Sequence, residues 1–440
     1  MPARSRHPLP RQLGLALDLP IEHYDLLHQQ QRGVVIHWER GASLSDRWIK
    51  LRPGDPRIPE IFRVDRGKDD TFITVNEFDG WVYIRLLRSL RALYVDLDDQ
   101  TDVYAVLDAL DDARIPWPSI VVSSGTGLHL YWLLEPLPPK TLPVWQRCQD
   151  ALIRLLKPLG ADVVAKDCTR LLRLVGTRNR GEEVRALVLD GHRWSLRQIA
   201  FEILGTEGRG RKPCAEIRDI RARRPRPDKA IQGSIYARWH LVYQDIRSIA
   251  AYHNHAIPEG YRDKWLFLAS VALSWFTHPQ GIADEILGLG QDNTDLLERD
   301  IHHAYEPALK RAIQAAAGET ILWQGKEVDP RYRFRRQTLY DWLDGLIPDA
   351  LLPQLRAIVP DRVRGTREKQ RLAAIEKTRN RAKEGRYGTS YTQTGVRACN
   401  VEKCAQARSM REQGATYRQI AAAVGISHET VRKWCATGVN

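Results

Sequence analysis

Cysteine is scarce in this chain, and its spacing does not suggest a metal site. The 440 residues include six cysteines, with no C-x-x-C pair and no histidine partners at the spacing typical of zinc ligands. Structural zinc sites and disulfide frameworks both depend on such spacing. We therefore expect free thiols in a reducing compartment, and neither a zinc ribbon nor a disulfide-stapled fold.

Long apolar segments are also missing. No run of about 18 apolar residues, the length needed to span a membrane, occurs anywhere in the sequence. The charged N-terminus is not followed by the apolar stretch of a signal peptide. These absences predict a soluble, cytoplasmic protein without a membrane partner.

Two motifs of DNA-processing enzymes are absent as well. No G-x-x-x-x-G-K-[ST] segment is present, which argues against a fused helicase, so unwinding would need a host helicase as a partner. A rolling-circle nuclease requires a histidine-hydrophobe-histidine metal motif and a nucleophilic tyrosine. His129-Leu130-Tyr131 does not supply that motif.

Positive charge, in contrast, is abundant and unevenly placed. The formal net charge is +13, and residues 361–440 hold 17 Lys and Arg against 7 Asp and Glu. Such an excess indicates a polyanionic partner and favours the C-terminal fifth of the chain for nucleic-acid binding. For residues 361–386 alone, a solvated basic helix is an equally good interpretation.

The segment Leu93-Tyr94-Val95-Asp96-Leu97-Asp98-Asp99 predicts a buried β-strand that ends in acids. Side chains two apart on a strand share a face, so Asp96 and Asp98 are expected side by side. Adjacent carboxylates repel each other unless a cation lies between them, and oxygen ligands suit Mg²⁺ or Mn²⁺. The alternative is a strand end that runs into a polar turn.

A glycine-rich turn follows the next predicted strand, at residues 120–122. Gly125 and Gly127 allow a tight turn and a close approach by a ligand, and His129 emerges just after them on a strand predicted at 130–134. A hairpin with a structural histidine is the alternative.

Further along, Gly160-Ala161-Asp162 introduces another acid. Arginines follow at positions 170, 173 and 178, separated by apolar residues typical of strands. An acid for a metal and arginines for phosphate, placed near each other, are the groups that phosphoryl or nucleotidyl transfer requires.

In this order and spacing, the three segments resemble the motifs of the archaeo-eukaryotic primase superfamily: an hDhD strand, an SGxGxH-type turn, and an acid before an RxxRxxGTxN-like stretch. Upstream, Thr74-Val75-Asn76-Glu77-Phe78 and Arg91-Ala92-Leu93 look like the primase-like replication proteins of plasmids and related mobile elements. The resemblance covers about residues 70–200, with weaker similarity to about 345. A strict Ser-x-His is absent, so Ser124 would have to supply any hydroxyl.

The resemblance implies a two-metal nucleotidyltransferase that uses Mg²⁺ or Mn²⁺ and takes NTPs or dNTPs on single-stranded template DNA. The implied metal ligands are Asp96, Asp98 and Asp162, with Asp167 as the alternative third acid. His129 would be the remaining catalytic residue and would contact the phosphates of the incoming nucleotide. The implied nucleotide-binding residues are Ser124, Gly125, Gly127, His129, Arg170 and Arg173.

Hydrophobic periodicity divides the chain into parts. An α+β module is predicted over residues 1–205, and the resemblance implies that its core is an RRM-like sheet. A basic linker follows at 206–230, a helical pattern covers 231–345, and a basic helical connector is predicted at 346–394. Three tryptophans are expected to pack the core of the helical part, with stacking on bases as the alternative: Trp265, Trp275 and Trp323.

Residues 395–440 carry a second informative pattern. A capping box opens a helix at 417–424, a glycine ends it, and Ser427 caps a second helix at 428–435. With a preceding helix at 401–413, this arrangement resembles a resolvase-type helix-turn-helix. An ordinary helical hairpin is the alternative. The expected DNA-binding residues are Ser427, His428, Thr430, Arg432 and Lys433.

These patterns together predict a replication protein of a plasmid or mobile element. Its N-terminal module would make primers or extend DNA, and its C-terminal helix-turn-helix would bind double-stranded origin DNA, which raises the local concentration of the active site there. The alternative is a non-catalytic origin-binding initiator or transcriptional repressor.

Overall fold

A computed structural model of the chain describes residues 15–41, 47–100, 102–205, 234–386 and 400–436. The chain divides into two compact units, Met1–Val359 and Pro360–Asn440. Three predicted segments lie outside the described residues: the linker at 206–230, the end of the connector at 387–394, and the start of the C-terminal domain at 395–399.

The first unit begins with a region of mixed strands and helices. In chain order, its described elements are β1 (Leu15–Leu17), α1 (Pro20–Leu27), β2 (Val35–Glu39), β3 (Arg47–Leu51), α2 (Ile58–Asp65), β4 (Thr71–Thr74), β5 (Glu77–Phe78), β6 (Leu87–Leu97), α3 (Val103–Ala113), β7 (Ile120–Ser123), β8 (Leu128–Leu137), α4 (Leu142–Leu156), β9 (Leu171–Arg173), β10 (Arg178–Asn179), β11 (Glu182–Glu183), β12 (Arg185–Val188) and α5 (Leu196–Leu204). The predicted α+β class is confirmed. The strands predicted from the acidic segment and from both sides of the glycine turn are confirmed as parts of β6, β7 and β8.

Six strands form one antiparallel sheet in the order β1-β12-β7-β8-β6-β5. Beyond the residues of β6 that pair with β5, side chains of helix α4 supply the hydrogen-bonding partners for the outer edge of β6. The indole N–H of Trp145 donates to the carbonyl oxygen of Ala92 at 2.9 Å, and the Gln149 side chain bonds both the N–H and the carbonyl of Tyr94. Because buried backbone groups need partners, these α4 side chains allow β6 to lie in the core.

A second antiparallel sheet has the order β3-β2-β4-β9. One face of it packs on α1 and α2: the buried His37 ring lies 6.2 Å from the Phe62 ring, and its Nε2 is 2.7 Å from Asp65. The opposite face carries the side chains of Trp48, Trp38, Phe72 and Arg173, which are cross-strand partners in that order.

The upstream residues of the family-like pattern form a buried polar network. Glu77 and Arg91 are both fully buried and their side chains lie 3.3 Å apart. Asn76 accepts a hydrogen bond from the Arg91 backbone N–H at 2.7 Å and donates to the carbonyl oxygen of Cys168 at 2.9 Å. Removing one partner of a buried ion pair leaves an uncompensated charge. Glu77 and Arg91 are therefore both needed for the stability of this part of the fold.

The rest of the first unit is mainly helical. Its described elements are α6 (Ile235–Tyr252), α7 (Arg262–Leu273), α8 (Pro279–Asn293), α9 (Glu298–Ala316), β13 (Ile321–Trp323), β14 (Lys326–Val328) and α10 (Arg336–Leu343). Trp265 and Trp275 are buried, as expected, but the prediction for Trp323 is wrong because it lies 64% exposed. Within the part of the chain that the structure describes, its strand pairs only with β14, in a separate two-stranded sheet.

The helical region packs directly against the sheet region. The buried Glu285 on α8 accepts hydrogen bonds from the backbone N–H groups of Ile84 and Arg85, at 2.7 and 2.9 Å, and from the Tyr243 hydroxyl at 2.6 Å. The domain boundaries drawn from sequence within this unit stay predictions. Within the part of the chain that the structure describes, no helix has the length and apolar character needed to cross a membrane.

The second unit contains four described helices: α11 (Asp361–Arg386), α12 (Val401–Glu412), α13 (Tyr417–Val424) and α14 (His428–Ala436). The last three pack around a small apolar core of Ala407, Ile420, Val424 and Val431. Gly425 ends α13 with a φ of 70°, a left-handed conformation that favours glycine. The helices predicted at 401–413, 417–424 and 428–435 are thus confirmed as helices.

Candidate active site

The candidate site lies at the end of β6, where the buried strand reaches solvent. Asp96 is partly exposed and Asp98 is exposed, while Leu97 between them is buried. The pleat of a strand imposes this alternation, and Asp98, the residue after β6, continues the pairing through its backbone N–H. Both carboxylates therefore lie on the same face.

A short segment after α4 brings a third acid to this face. The backbone N–H of Asp162 donates to the carbonyl oxygen of Asp96 at 2.8 Å, and that of Asp98 donates to the carbonyl oxygen of Gly160 at 3.0 Å. The residues between them form an antiparallel bridge. Because residues opposite each other in such a pair project to the same side, Asp162 shares the face of the two β6 acids.

The three acids interact electrostatically. Burial raises the pKa of Asp98 above its usual range, and the negative charges of Asp96, Asp162 and Asp99 raise it further. A carboxyl group whose ionisation is opposed by its neighbours gains most from a cation. The end of β6 is therefore a concentrated patch of negative charge.

Two glycines allow the surrounding backbone to approach β6 this closely. A Cβ atom on Gly127 would lie 2.2 Å from the carbonyl oxygen of Leu97, and one on Gly160 would lie 2.6 Å from that of Asp98. Gly160 also has a φ of 90°, which few side chains tolerate. The missing side chain of Gly127 allows the turn to fit against β6, and its predicted contact with a nucleotide stays a prediction.

His129 is the direct cross-strand partner of Asp96. Its Nε2 lies 3.5 Å from Asp96 Oδ1, and the side chain is almost fully buried. Burial lowers the pKa of His129, and the positive charge of Arg173 lowers it too, while Asp96 opposes both effects. The imidazole is therefore neutral at pH 7 and carries a single N–H.

The turn before His129 is held by a residue to which the sequence assigned no role. The Ser124 N–H donates to the carbonyl oxygen of Gly127 at 2.8 Å, and Gly125 has a φ of 92°. Asn179 Nδ2 donates to the carbonyl oxygen of Ser124 at 2.7 Å and lies 3.4 Å from the Thr126 hydroxyl. Asn179 is the last residue of the third motif, and this position is the one feature of the sequence that marks it as important.

The two expected arginines have different surroundings. Arg173 pairs with Asp70 at 2.8 Å, lies over the Phe72 ring, and is close enough to lower the pKa of His129. Arg170 instead pairs with Asp167 at 3.3 Å. Of the two arginines, Arg173 is the one that the structure brings toward His129.

Asp167, the alternative third acid, is occupied by structural contacts. It is fully buried, accepts the Thr169 N–H at 3.0 Å and the Thr169 hydroxyl, and lies 3.4 Å from His278 Nδ1. Burial alone would raise its pKa, but Arg170, His278 and Thr169 hold the pKa of Asp167 well below its usual range. The structure therefore places Asp162, and not Asp167, on the face of the β6 acids.

The donor set fits a divalent cation by its chemistry. Carboxylate oxygens are the ligands that Mg²⁺ and Mn²⁺ prefer, and a cation would offset both the burial and the repulsion that raise the pKa of Asp98. Over residues 15–41, 47–100, 102–205, 234–386 and 400–436, no three His, Cys, Asp or Glu side chains are already gathered into a metal-binding group.

In the second unit, the expected DNA-binding residues divide into two sets. The Ser427 hydroxyl accepts the backbone N–H of Thr430 at 3.2 Å and lies 2.7 Å from the Thr430 hydroxyl, so this pair caps α14. The other three side chains are exposed on α14: His428, Arg432 and Lys433. The capping pair fixes where α14 begins, and so it positions the three exposed side chains.

Comparison with known proteins supports the resemblance seen in the motifs. No family model matches this sequence. The chain is 27% identical, over 301 residues, to a protein named replication protein from Clostridium perfringens, and the match covers 66% of this chain and 68% of that protein. The predicted similarity to replication proteins is thereby confirmed.

Two solved structures are also similar. One is the AEP domain of the cyanophage S-2L primase-polymerase (PrimPol), which is 19% identical with a TM-score of 0.34 and covers 42% of this chain and 97% of that chain. The other is the primase RepB′, which is 14% identical with a TM-score of 0.28 and covers 68% of this chain and 96% of that chain.

Proposed function

We propose that this chain is a primase-polymerase of a plasmid or mobile element that adds nucleotides to DNA by two-metal nucleotidyl transfer. The observation that carries the proposal is that the backbone pairing sets both Asp162 and His129 opposite Asp96, two residues before Asp98. Burial raises the pKa of Asp98, and the negative charges of Asp96 and Asp162 raise it further. Asp167, in contrast, is paired with Arg170.

The roles of the residues follow from their positions. Asp96, Asp98 and Asp162 would hold Mg²⁺ or Mn²⁺, which when bound lowers the pKa of the attacking 3′-hydroxyl and neutralises charge on the leaving pyrophosphate. His129, neutral and fixed opposite Asp96, orients the phosphates through one N–H. Arg173 adds positive charge on the same side. The 3′ oxygen bonds to the α-phosphorus as the bond to pyrophosphate breaks.

The C-terminal unit supplies the second half of the proposal. The exposed Arg432 and Lys433 on α14 would contact double-stranded origin DNA, with α14 in the major groove. A host helicase would unwind the duplex and expose the single-stranded template, on which NTPs or dNTPs are incorporated.

Nucleotide incorporation tests this function directly. The intact protein is incubated with single-stranded DNA, labelled NTPs or dNTPs and either Mg²⁺ or Mn²⁺, and compared with Asp96→Asn, Asp98→Asn and the matched control Asp99→Asn. We expect incorporation by the wild type and the control and a loss of roughly 10²–10³-fold in the other two variants. Asp99 is a suitable control because it lies next to Asp98 with a φ of 55°, which asparagine tolerates well.

A second outcome would support the other candidate. If no form of the protein incorporates nucleotides under these conditions while all bind duplex DNA, the enzyme is rejected. The non-catalytic origin-binding initiator or repressor then becomes the function that remains.

A further inference from the structure

The face of the second sheet that points away from α1 and α2 carries a row of aromatic rings. Trp48, Trp38 and Phe72 are successive cross-strand partners on β3, β2 and β4. The Trp48 and Trp38 ring centroids are 5.3 Å apart with planes 17° apart, and those of Trp38 and Phe72 are 4.6 Å apart with planes 26° apart. The three rings therefore form one continuous stack across three strands.

Cations line this stack. The Arg40 guanidinium lies 5.1 Å from the Trp38 ring and 5.6 Å from the Phe72 ring, and Arg173 lies 4.8 Å from Phe72. Both arginines also contact Asp70, at 4.0 and 2.8 Å, so one positive charge remains uncompensated among the three groups. A cation over an aromatic face is attracted by the ring quadrupole.

The row is open at one end, and its other end lies on the strand that follows the segment of Asp162. Trp48 lies on the edge strand β3 and is 44% exposed. At the other end, Arg173 is the cross-strand partner of Phe72 and the last residue of β9, the next strand along the chain after Asp162. On the same face, the Lys50 ammonium lies 3.9 Å from the ring of Trp81, which is 42% exposed.

The charges beside the exposed Trp48 ring indicate which kind of ligand would cover it. Solvent-exposed aromatic rings interleaved with Arg and Lys suit a strand of unpaired nucleotides, because every base has a face that stacks and every phosphate is negative. Duplex DNA does not fit, since its bases are already stacked on one another. An apolar protein partner would not require the positive charges beside the rings.

From this arrangement we propose that the Trp48–Trp38–Phe72 row is a stacking platform that binds a single-stranded template and leads it to the acids of β6. A template base stacks on the outer face of Trp48, while Arg40 and Lys50 contact the phosphates on either side. The inference rests on the proposed function in one respect, namely that the bound template leads to the acids of β6. Binding by the platform does not itself require catalysis.

Binding of fluorescein-labelled oligo(dT), measured by anisotropy with EDTA and without nucleotides, tests the platform in the full-length protein. We expect Trp48→Ala and Trp48→Leu to weaken binding about 5- to 20-fold, and Trp48→Phe to retain most of it. Trp323→Ala is the matched control, because Trp323 is the more exposed tryptophan, and should bind like the wild type. Rescue by leucine as well as phenylalanine would mean a packing role and would overturn the proposal.

Photo-crosslinking keeps the test independent of variant stability and of any DNA bound by the C-terminal unit. The wild type is irradiated with an oligonucleotide containing 5-iodouracil, and the crosslinked peptides are identified by mass spectrometry. Crosslinks at Trp48 or Trp38 support the platform, and their absence overturns it. A wild-type protein that incorporates no nucleotide but crosslinks at Trp48 would refute the polymerase and leave the platform standing.

Discussion

The backbone N–H of Asp162 donates a hydrogen bond to the carbonyl oxygen of Asp96 at 2.8 Å. Together with the bond from the Asp98 N–H to the carbonyl oxygen of Gly160, it fixes the register in which the segment after α4 lies against the end of β6. That register decides which of two nearby acids joins the candidate site. Asp162 faces the β6 acids, whereas Asp167, five residues later, is buried among Arg170, Thr169 and His278.

The first prediction contrasts these two acids. Asp162→Asn should reduce nucleotide incorporation by roughly 10²–10³-fold with little change in thermal unfolding. Asp167→Asn should destabilise the fold by roughly 3–5 kcal/mol, because it removes one partner of a buried ion pair. Incorporation assays and calorimetry on both variants check this. A stable but inactive Asp167→Asn variant would contradict the prediction, because it would show that Asp167 acts in the site.

Stability should depend on pH through Asp98. Its pKa is raised in the folded protein above the ordinary value of 3.8. At a pH between 3.8 and the raised pKa, the folded state therefore binds more protons than the unfolded state. Stability must then fall as pH rises through that interval. Thermal unfolding between pH 3.5 and 7 in a chelator should show Asp98→Asn gaining stability relative to the wild type as pH rises. Parallel curves would contradict the shift.

Divalent cations should reverse this penalty. Adding Mn²⁺ at pH 7 should raise the unfolding temperature of the wild type and of Asp99→Asn, but not that of the double variant Asp96→Asn/Asp98→Asn, because binding to the folded state alone stabilises it. The Mn²⁺ affinity should weaken as pH falls, since protons compete for Asp98. Equal Mn²⁺ stabilisation of the double variant would remove these carboxylates as ligands.

The effect of the close backbone approach at Gly160 can be measured separately from the effect of its positive φ, by comparing alanine variants of two glycines. Gly160 and Gly181 have φ values of 90° and 87°, but a Cβ atom would be 2.6 Å from the Asp98 carbonyl oxygen at Gly160 and would meet nothing within 4 Å at Gly181. Both alanine variants should lose about 1 kcal/mol from the backbone conformation. Only Gly160→Ala should lose more and also lose incorporation. Equal losses of stability would show that the segment moves freely.

The C-terminal unit is predicted to bind duplex DNA through α14. Arg432→Gln should reduce the slope of log affinity against log salt concentration by about one, and Lys403→Gln, a charge-matched change on α12, should leave it unchanged. Incorporation on single-stranded DNA should be normal in both. Fluorescence anisotropy with a duplex at several salt concentrations measures the slope, and identical slopes would exclude α14 as the contact surface.

Local patterns in the sequence predicted the local structure well. The alternation in residues 93–98 placed Asp96 and Asp98 on one face, because the period of a strand is two. The capping box at Thr416 predicted the start of α13, because capping depends on residues three apart. These relationships involve neighbours in the chain, so the order of residues is enough to specify them.

The exposed Trp323 and the buried Trp265 show where such patterns fail. Both are large aromatic residues, and the sequence predicted both in the core. Whether a ring is covered depends on a second layer contributed by distant segments. The hairpin that carries Trp323 has no such layer among the described residues, whereas Trp265 is fully buried.

The sequence by itself determined the acids, the glycine turn, the helices of the C-terminal unit and the similarity to replication proteins. Only the tertiary structure decided that His129 and Asp162 both lie opposite Asp96, and that His278, more than a hundred residues later, contacts Asp167. The reason is register: strand pairing and helix packing join residues far apart in the chain, and their alignment depends on the folded surroundings as a whole.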